Sequence, residues 1–145
     1  MKKVLLVLAM VALTFGMNAQ KVTKTVDIFN NYQGKLIQST DFEEGEEDST
    51  VFMFLRQDRR YSTIVSREAF FYGETIEEFK EHMNALEKFS LENSKGTSSE
   101  INGYRVQIYK VGQIIVSGKD NTRAYTLFRK SDFKKIKQNL AKKGL

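Results

Sequence analysis

Residues 75–91, TIEEFKEHMNALEKFSL, constrain the fold of this chain more than any other stretch. Ile76, Phe79, Met83, Leu86 and Phe89 recur at steps of three and four, which places them on one stripe of an α-helix. Thr75 can cap the first turn with its hydroxyl, and Glu78, three residues on, completes a capping box. Glu77, Glu78 and Glu81 lie near the positive end of the helix dipole. Asn93, Ser94, Lys95 and Gly96 supply the stop. A helix with a single apolar stripe needs one partner surface, and the flanking segments read as strands, so this helix is expected to lie over a sheet.

Residues 22–29 alternate and are rich in β-branched side chains, a strand pattern; residues 30–34 form a turn by composition, and 35–39 a short second strand. DFEEGEED, residues 41–48, reads as an exposed acidic loop around Gly45. Residues 51–56 suit a buried strand and 61–67 a partner for it, with a charged turn between. Phe70, Phe71 and Tyr72 follow; three successive aromatics cannot face one way on a strand, so at least one points away from the core.

Beyond the helix, residues 95–100 read as a polar loop and Asn102-Gly103 as a tight type I′ turn. Residues 104–111, 114–117 and 123–129 make a three-stranded meander. Ser131 is placed to cap a second helix, whose stripe is Phe133, Ile136 and Leu140 and whose end is Gly144. The order strands–helix–strands–helix predicts an α+β two-layer sandwich, one antiparallel sheet of about six strands with both helices on one face. Both halves follow strand, charged turn, strand, helix, which suggests a loose internal repeat.

The first 19 residues have the layout of a bacterial secretory signal: Lys2 and Lys3, an apolar run over residues 4–15, then a small-residue exit with cleavage between Ala19 and Gln20. The expected product is a single domain, residues 20–145, that is periplasmic or extracellular. The chain has no Cys, so it is expected not to be a lipoprotein, and disulfides, thiolate nucleophiles and Cys-based metal sites are excluded. With Lys2 and Lys3 removed from 23 basic residues against 18 acidic ones, the excess is about three positive charges.

Few chemistries remain. His82 is the only histidine. It falls at the edge of the apolar stripe, where packing explains it more simply than catalysis, yet it is the one weak catalytic candidate if a carboxylate or hydroxyl reaches it. One His and no Cys cannot make the usual zinc sites. Asp41, Glu43 and Asp48 are weak calcium candidates, because the acidic run lacks the spaced pattern of a calcium loop. Phosphate-cradling glycine motifs and a nucleophile elbow are absent, and no cofactor is expected.

Charge is segregated towards the C-terminus, where residues 129–145 carry seven basic side chains and one acid. Arg129, Lys130, Lys134, Lys135, Lys137 and Lys142 form a candidate binding patch for an acidic partner or an anionic surface. Nucleic acid is not the expected ligand of an exported protein. The reading these features favour is an exported, non-catalytic binding or accessory domain with a protein or envelope partner. The alternatives are a small hydrolase built on His82 and a peripheral envelope protein docking through its basic helix.

Overall fold

A computed structural model describes residues 21–31, 33–57, 67–118 and 125–145. The first half is a four-stranded antiparallel meander, β1 (Val22–Asn31), β2 (Gly34–Glu43), β3 (Glu46–Gln57) and β4 (Arg67–Gly73), followed by α1 (Ile76–Glu92). The second half repeats the plan with β5 (Ser98–Ile101), β6 (Tyr104–Lys110), β7 (Gln113–Ser117) and β8 (Tyr125–Arg129), followed by α2 (Lys130–Lys142). The α+β class and the strands–helix–strands–helix order stand. In place of one sheet of about six strands, the described residues form two sheets of four, and the shared plan of the halves is fuller than the sequence suggested.

Polar segments lengthen β2 and β3 and supply β5. The acidic run is ladder rather than loop: Asp41 pairs with Ser49 and Glu43 with Glu46, and the chain reverses over Glu44 and Gly45 alone. Those two residues have φ of 53° and 86°, the pair of positive values a type I′ hairpin needs, and the expected turn at Asn102-Gly103 has 48° and 83°. Residues 98–100, read as the end of a polar loop, form the short outer strand β5 together with Ile101. The partner of β3 is β4, which contains the aromatic triplet. Residues 61–66 of the strand expected over 61–67, residues 123 and 124 of the strand expected over 123–129, and the signal segment with its cut at Ala19 and Gln20 lie outside the described residues.

Period-two burial explains most of the core. Phe52 and Phe54 in β3, Phe70 and Tyr72 in β4, Val106 and Ile108 in β6, Ile114 and Val116 in β7, and Phe128 in β8 are buried, while Phe71 faces outward. The α1 stripe behaves as its spacing requires, with Phe79, Met83 and Leu86 buried and Ile76 and Phe89 packed partly against them. Phe133, Ile136 and Leu140 of α2 join the same cluster. Both helices touch both sheets: α1 packs on β4, β5 and β7, and α2 on β8 and β1. One continuous core therefore unites the halves, with Phe54 of β3 meeting Phe128 of β8 edge to face at 5.7 Å.

The caps follow the same local rules. Thr75 Oγ1 accepts from the Glu78 amide at 3.2 Å, and Glu78 Oε2 reaches back to the Glu74 amide at 2.9 Å. In α2 the cap position is Arg129, not Ser131. β8 runs straight into the helix, so the Arg129 amide is received by Asp132 Oδ2 at 2.9 Å and the Lys130 amide by the Gly112 carbonyl at 2.7 Å.

Candidate functional site

Among the described residues, a concave surface lies beside each half of α1. The first is a groove of about 750 Å³ between α1 and α2, lined by Glu87 and by Lys130, Ser131, Lys134, Lys137 and Gln138. Lys130, Lys134 and Lys137 stand at steps of four and three, one face of a helix. All three are exposed and the groove wall is mostly apolar, which aliphatic lysine stems supply while their ammonium groups reach water. Gly112, in the β6–β7 turn, holds the two helices in place: its amide donates to the Ser90 carbonyl of α1 at 2.9 Å, and its carbonyl receives Lys130.

Lys137 pairs with Glu87 across the groove, an exposed contact that contributes up to about 1 kcal/mol. Among the described residues, Lys130 and Lys134 make no ion pair. The groove thus joins aliphatic walls to ammonium groups with unused donors, which suits an anionic ligand that has an apolar body. Of the candidate patch, Lys130, Lys134 and Lys137 come together here. Lys135 and Lys142 are exposed on α2 outside the groove lining, and Arg129 ends β8. Glu87 and Gln138 were not singled out by sequence, and Ser131 only as a helix cap, since nothing local says which residues of α1 meet α2.

The second surface is a recess of about 360 Å³ at the other half of α1. Glu78, Glu81 and His82 line it from the helix, with Phe71, Tyr72 and Gly73 from β4 and Asn102 from the β5–β6 turn. His82 is 2 % exposed, more deeply placed than the stripe edge implied. Its ring stacks on Tyr72 at 4.7 Å and meets Tyr104 edge to face at 6.0 Å. The Asn102 side-chain amide lies 2.7 Å from Nδ1, while Nε2 has no hydrogen-bond partner among the described residues. Since an amide nitrogen only donates, Nδ1 accepts and the ring proton sits on Nε2. Burial pushes the imidazole down from 6.5 to about 4, so it is neutral at physiological pH.

Burial also raises the Tyr72 phenol well above its ordinary range and raises Tyr104. Among the described residues, no carboxylate or hydroxyl is hydrogen-bonded to the His82 ring, whose side-chain partner is the amide of Asn102. That arrangement orients a neutral ring and supplies no activated nucleophile. Asn102 was legible as a turn residue from the Asn-Gly pair, but its role beside His82 was not.

The calcium candidates Asp41, Glu43 and Asp48 lie on the β2–β3 hairpin rather than in a loop. Asp41 receives the Thr23 hydroxyl at 2.7 Å and Lys21 Nζ at 3.2 Å, and these hold its carboxyl below the usual range. Among the described residues, no group of three or more His, Cys, Asp or Glu is disposed to hold a metal ion. No helix among them is long and apolar enough to cross a membrane. Compared with protein-family models, curated proteins and solved structures, the chain matches none.

Proposed function

We propose that the chain is an exported, non-catalytic binding domain whose groove between α1 and α2 takes an acidic, partly apolar segment of a partner protein. The observation that carries this reading is the gathering of Lys130, Lys134 and Lys137 along one aliphatic-walled groove, with two of the three ammonium groups unpaired among the described residues. Its size suits a few side chains of an extended or helical segment. The state of His82, neutral and held by an amide, speaks against the hydrolase alternative.

Docking of α2 on an anionic membrane is the weaker reading. A helix that lies in a bilayer interface buries its apolar face in lipid. Here Phe133, Ile136 and Leu140 are buried in the protein's own core, which leaves only electrostatic adhesion.

An acidic peptide alternating Glu and Leu is the direct probe, titrated into the isotopically labelled chain from Gln20 onward. Saturable shifts are expected at the backbone amides of Glu87, Lys130, Lys134 and Gln138, weakened by salt and lost in the Lys130→Glu, Lys134→Glu double variant. Absence of shifts, or equal shifts in the double variant, defeats the proposal. Stronger, salt-sensitive sedimentation with phosphatidylglycerol vesicles than with the peptide favours membrane docking instead.

A further inference from the structure

We infer that the groove between α1 and α2 takes the acidic tip of the β2–β3 hairpin of a second copy of this chain, so that copies join head to tail. The inference rests on the reading of the groove as a site for an acidic, partly apolar segment, and it names that segment. Glu43, Glu44, Glu46, Glu47 and Asp48 crowd the tip, and all of them are exposed. Among the described residues none of these carboxylates makes an ion pair, just as Lys130 and Lys134 make none in the groove. Lys21 and Lys24 of the same ribbon are engaged elsewhere, by Asp41 and by the ring of Phe42. Glu43 and Glu46 face each other directly across the ladder, and like charges so placed cost stability until a cation meets them. Behind the tip, Phe42 lies opposite Val22, and both are partly open to solvent, which gives the segment its apolar side.

Spacing and reach agree with this. Cβ atoms directly opposite on an antiparallel ladder, as in Glu43 and Glu46, are about 5 Å apart. Lys130 and Lys134 stand one turn apart, about 6 Å along α2. Two carboxylates and two ammonium groups therefore meet at a common spacing. The tip does not fold back into the groove of its own chain. α2 meets the ribbon at the base of β1, where Asn139 bonds the Ile28 carbonyl. Strand pairing holds the tip about 20 Å further along the ladder. Tip and groove are different surfaces, so the contact is heterologous, and each joined pair still offers one tip and one groove to further copies.

Sedimentation of the chain from Gln20 onward, over a concentration series at low and high salt, is the test. Self-association should rise with concentration and weaken with salt. Two variants each remove one side of the contact: Glu43→Gln, Glu44→Gln and Glu46→Gln together at the tip, and Lys130→Glu with Lys134→Glu in the groove. Every altered side chain is exposed, and thermal unfolding checks that both variants fold. Each alone should associate at least about tenfold more weakly than the parent. Mixed in equal amounts, the intact groove of one and the intact tip of the other should form a dimer that grows no further, a result that contact between like surfaces does not give. A parent that stays monomeric while the Glu–Leu peptide still shifts the groove amides overturns this inference and leaves the reading of the groove standing. Loss of both results overturns the two together. A tip variant that associates as the parent does, or a mixture that forms no dimer, also overturns the head-to-tail contact.

Discussion

The backbone amide of Leu127 in β8 donates to Oε1 of Gln33 at 2.6 Å, although 94 positions separate the two residues. Its counterpart is the Phe71 amide of β4, which donates to Tyr104 Oη in β6. β4 and β8 are the outer strands that lead into the helices, and each is closed at one point by a side chain from the other half. An outer strand left bare is a template for pairing with another chain. Gln33 is positioned for its role by Asn31, whose Oδ1 accepts the amides of Gln33 at 2.8 Å and Gly34 at 3.2 Å.

Replacing Gln33 by Ala should therefore speed hydrogen exchange at the Leu127 amide selectively. The expected stability cost is about 1 kcal/mol, the net worth of one such bond. Amides of β7 in the β7–β8 ladder should keep their protection. Unchanged exchange at Leu127 would show that Gln33 does not close this edge.

Gly34 opens β2 where no side chain fits. A Cβ there would lie 2.1 Å from the Leu55 carbonyl oxygen and 2.9 Å from the Phe54 ring. Gly34→Ala should destabilise the chain by at least about 2 kcal/mol in urea unfolding. Gly45→Ala meets nothing within 4 Å, but its φ of 86° carries backbone strain, so it should cost about 1 kcal/mol. The two variants separate steric conflict from conformational strain.

His82 makes stability depend on pH in a defined window. Its folded pKa is about 4 against 6.5 when unfolded, so the unfolded chain binds the proton more readily between these values. Stability is full above pH 6.5, falls as pH drops through the window, and loses nothing further to this residue below pH 4. The total is on the order of 3 kcal/mol. The groups around the ring are Tyr72, Tyr104 and Asn102, with Glu78 and Glu81 lining the same recess. A His82→Gln variant should show a flatter profile over this window, measured by urea unfolding at closely spaced pH values. Parallel profiles would contradict the shift.

Phe128 touches Phe54, Tyr72 and Phe133 in a core that belongs to neither half alone. Phe128→Ala should cost about 3–5 kcal/mol. Far-ultraviolet dichroism and exchange protection in both sheets should disappear together in one transition. Survival of the first sheet after the second has unfolded would mean that the halves are independent.

Much of the fold was legible because its signals are local. The α1 stripe, the Thr75–Glu78 cap, the alternation through 104–117 and the Asn102-Gly103 turn depend on residues within a few positions of each other. The missed stretches of ladder also have a common reason. Residues 43–48 of the acidic hairpin and residues 98–100 have exposed, almost wholly polar side chains, so burial left no pattern on their sequence, and ladder bonds to a neighbouring strand define them instead. The candidate lysines were visible as a charge run, whereas the groove that selects three of them was not.

By itself, then, the sequence determined the α+β class, the alternation of strands and helices, the stripes that enter the core and the chemistries a cysteine-free chain with one histidine must do without. Tertiary structure decided that the strands divide into two sheets, that each helix bridges both, that Asn102 meets His82 and that Asn139 of α2 bonds the Ile28 carbonyl of β1, 111 positions away. The physical reason is range. Helix periodicity, caps and turns are fixed by backbone geometry over a few residues, while the partner of a buried polar atom or an apolar face is chosen only when distant segments pack into one core.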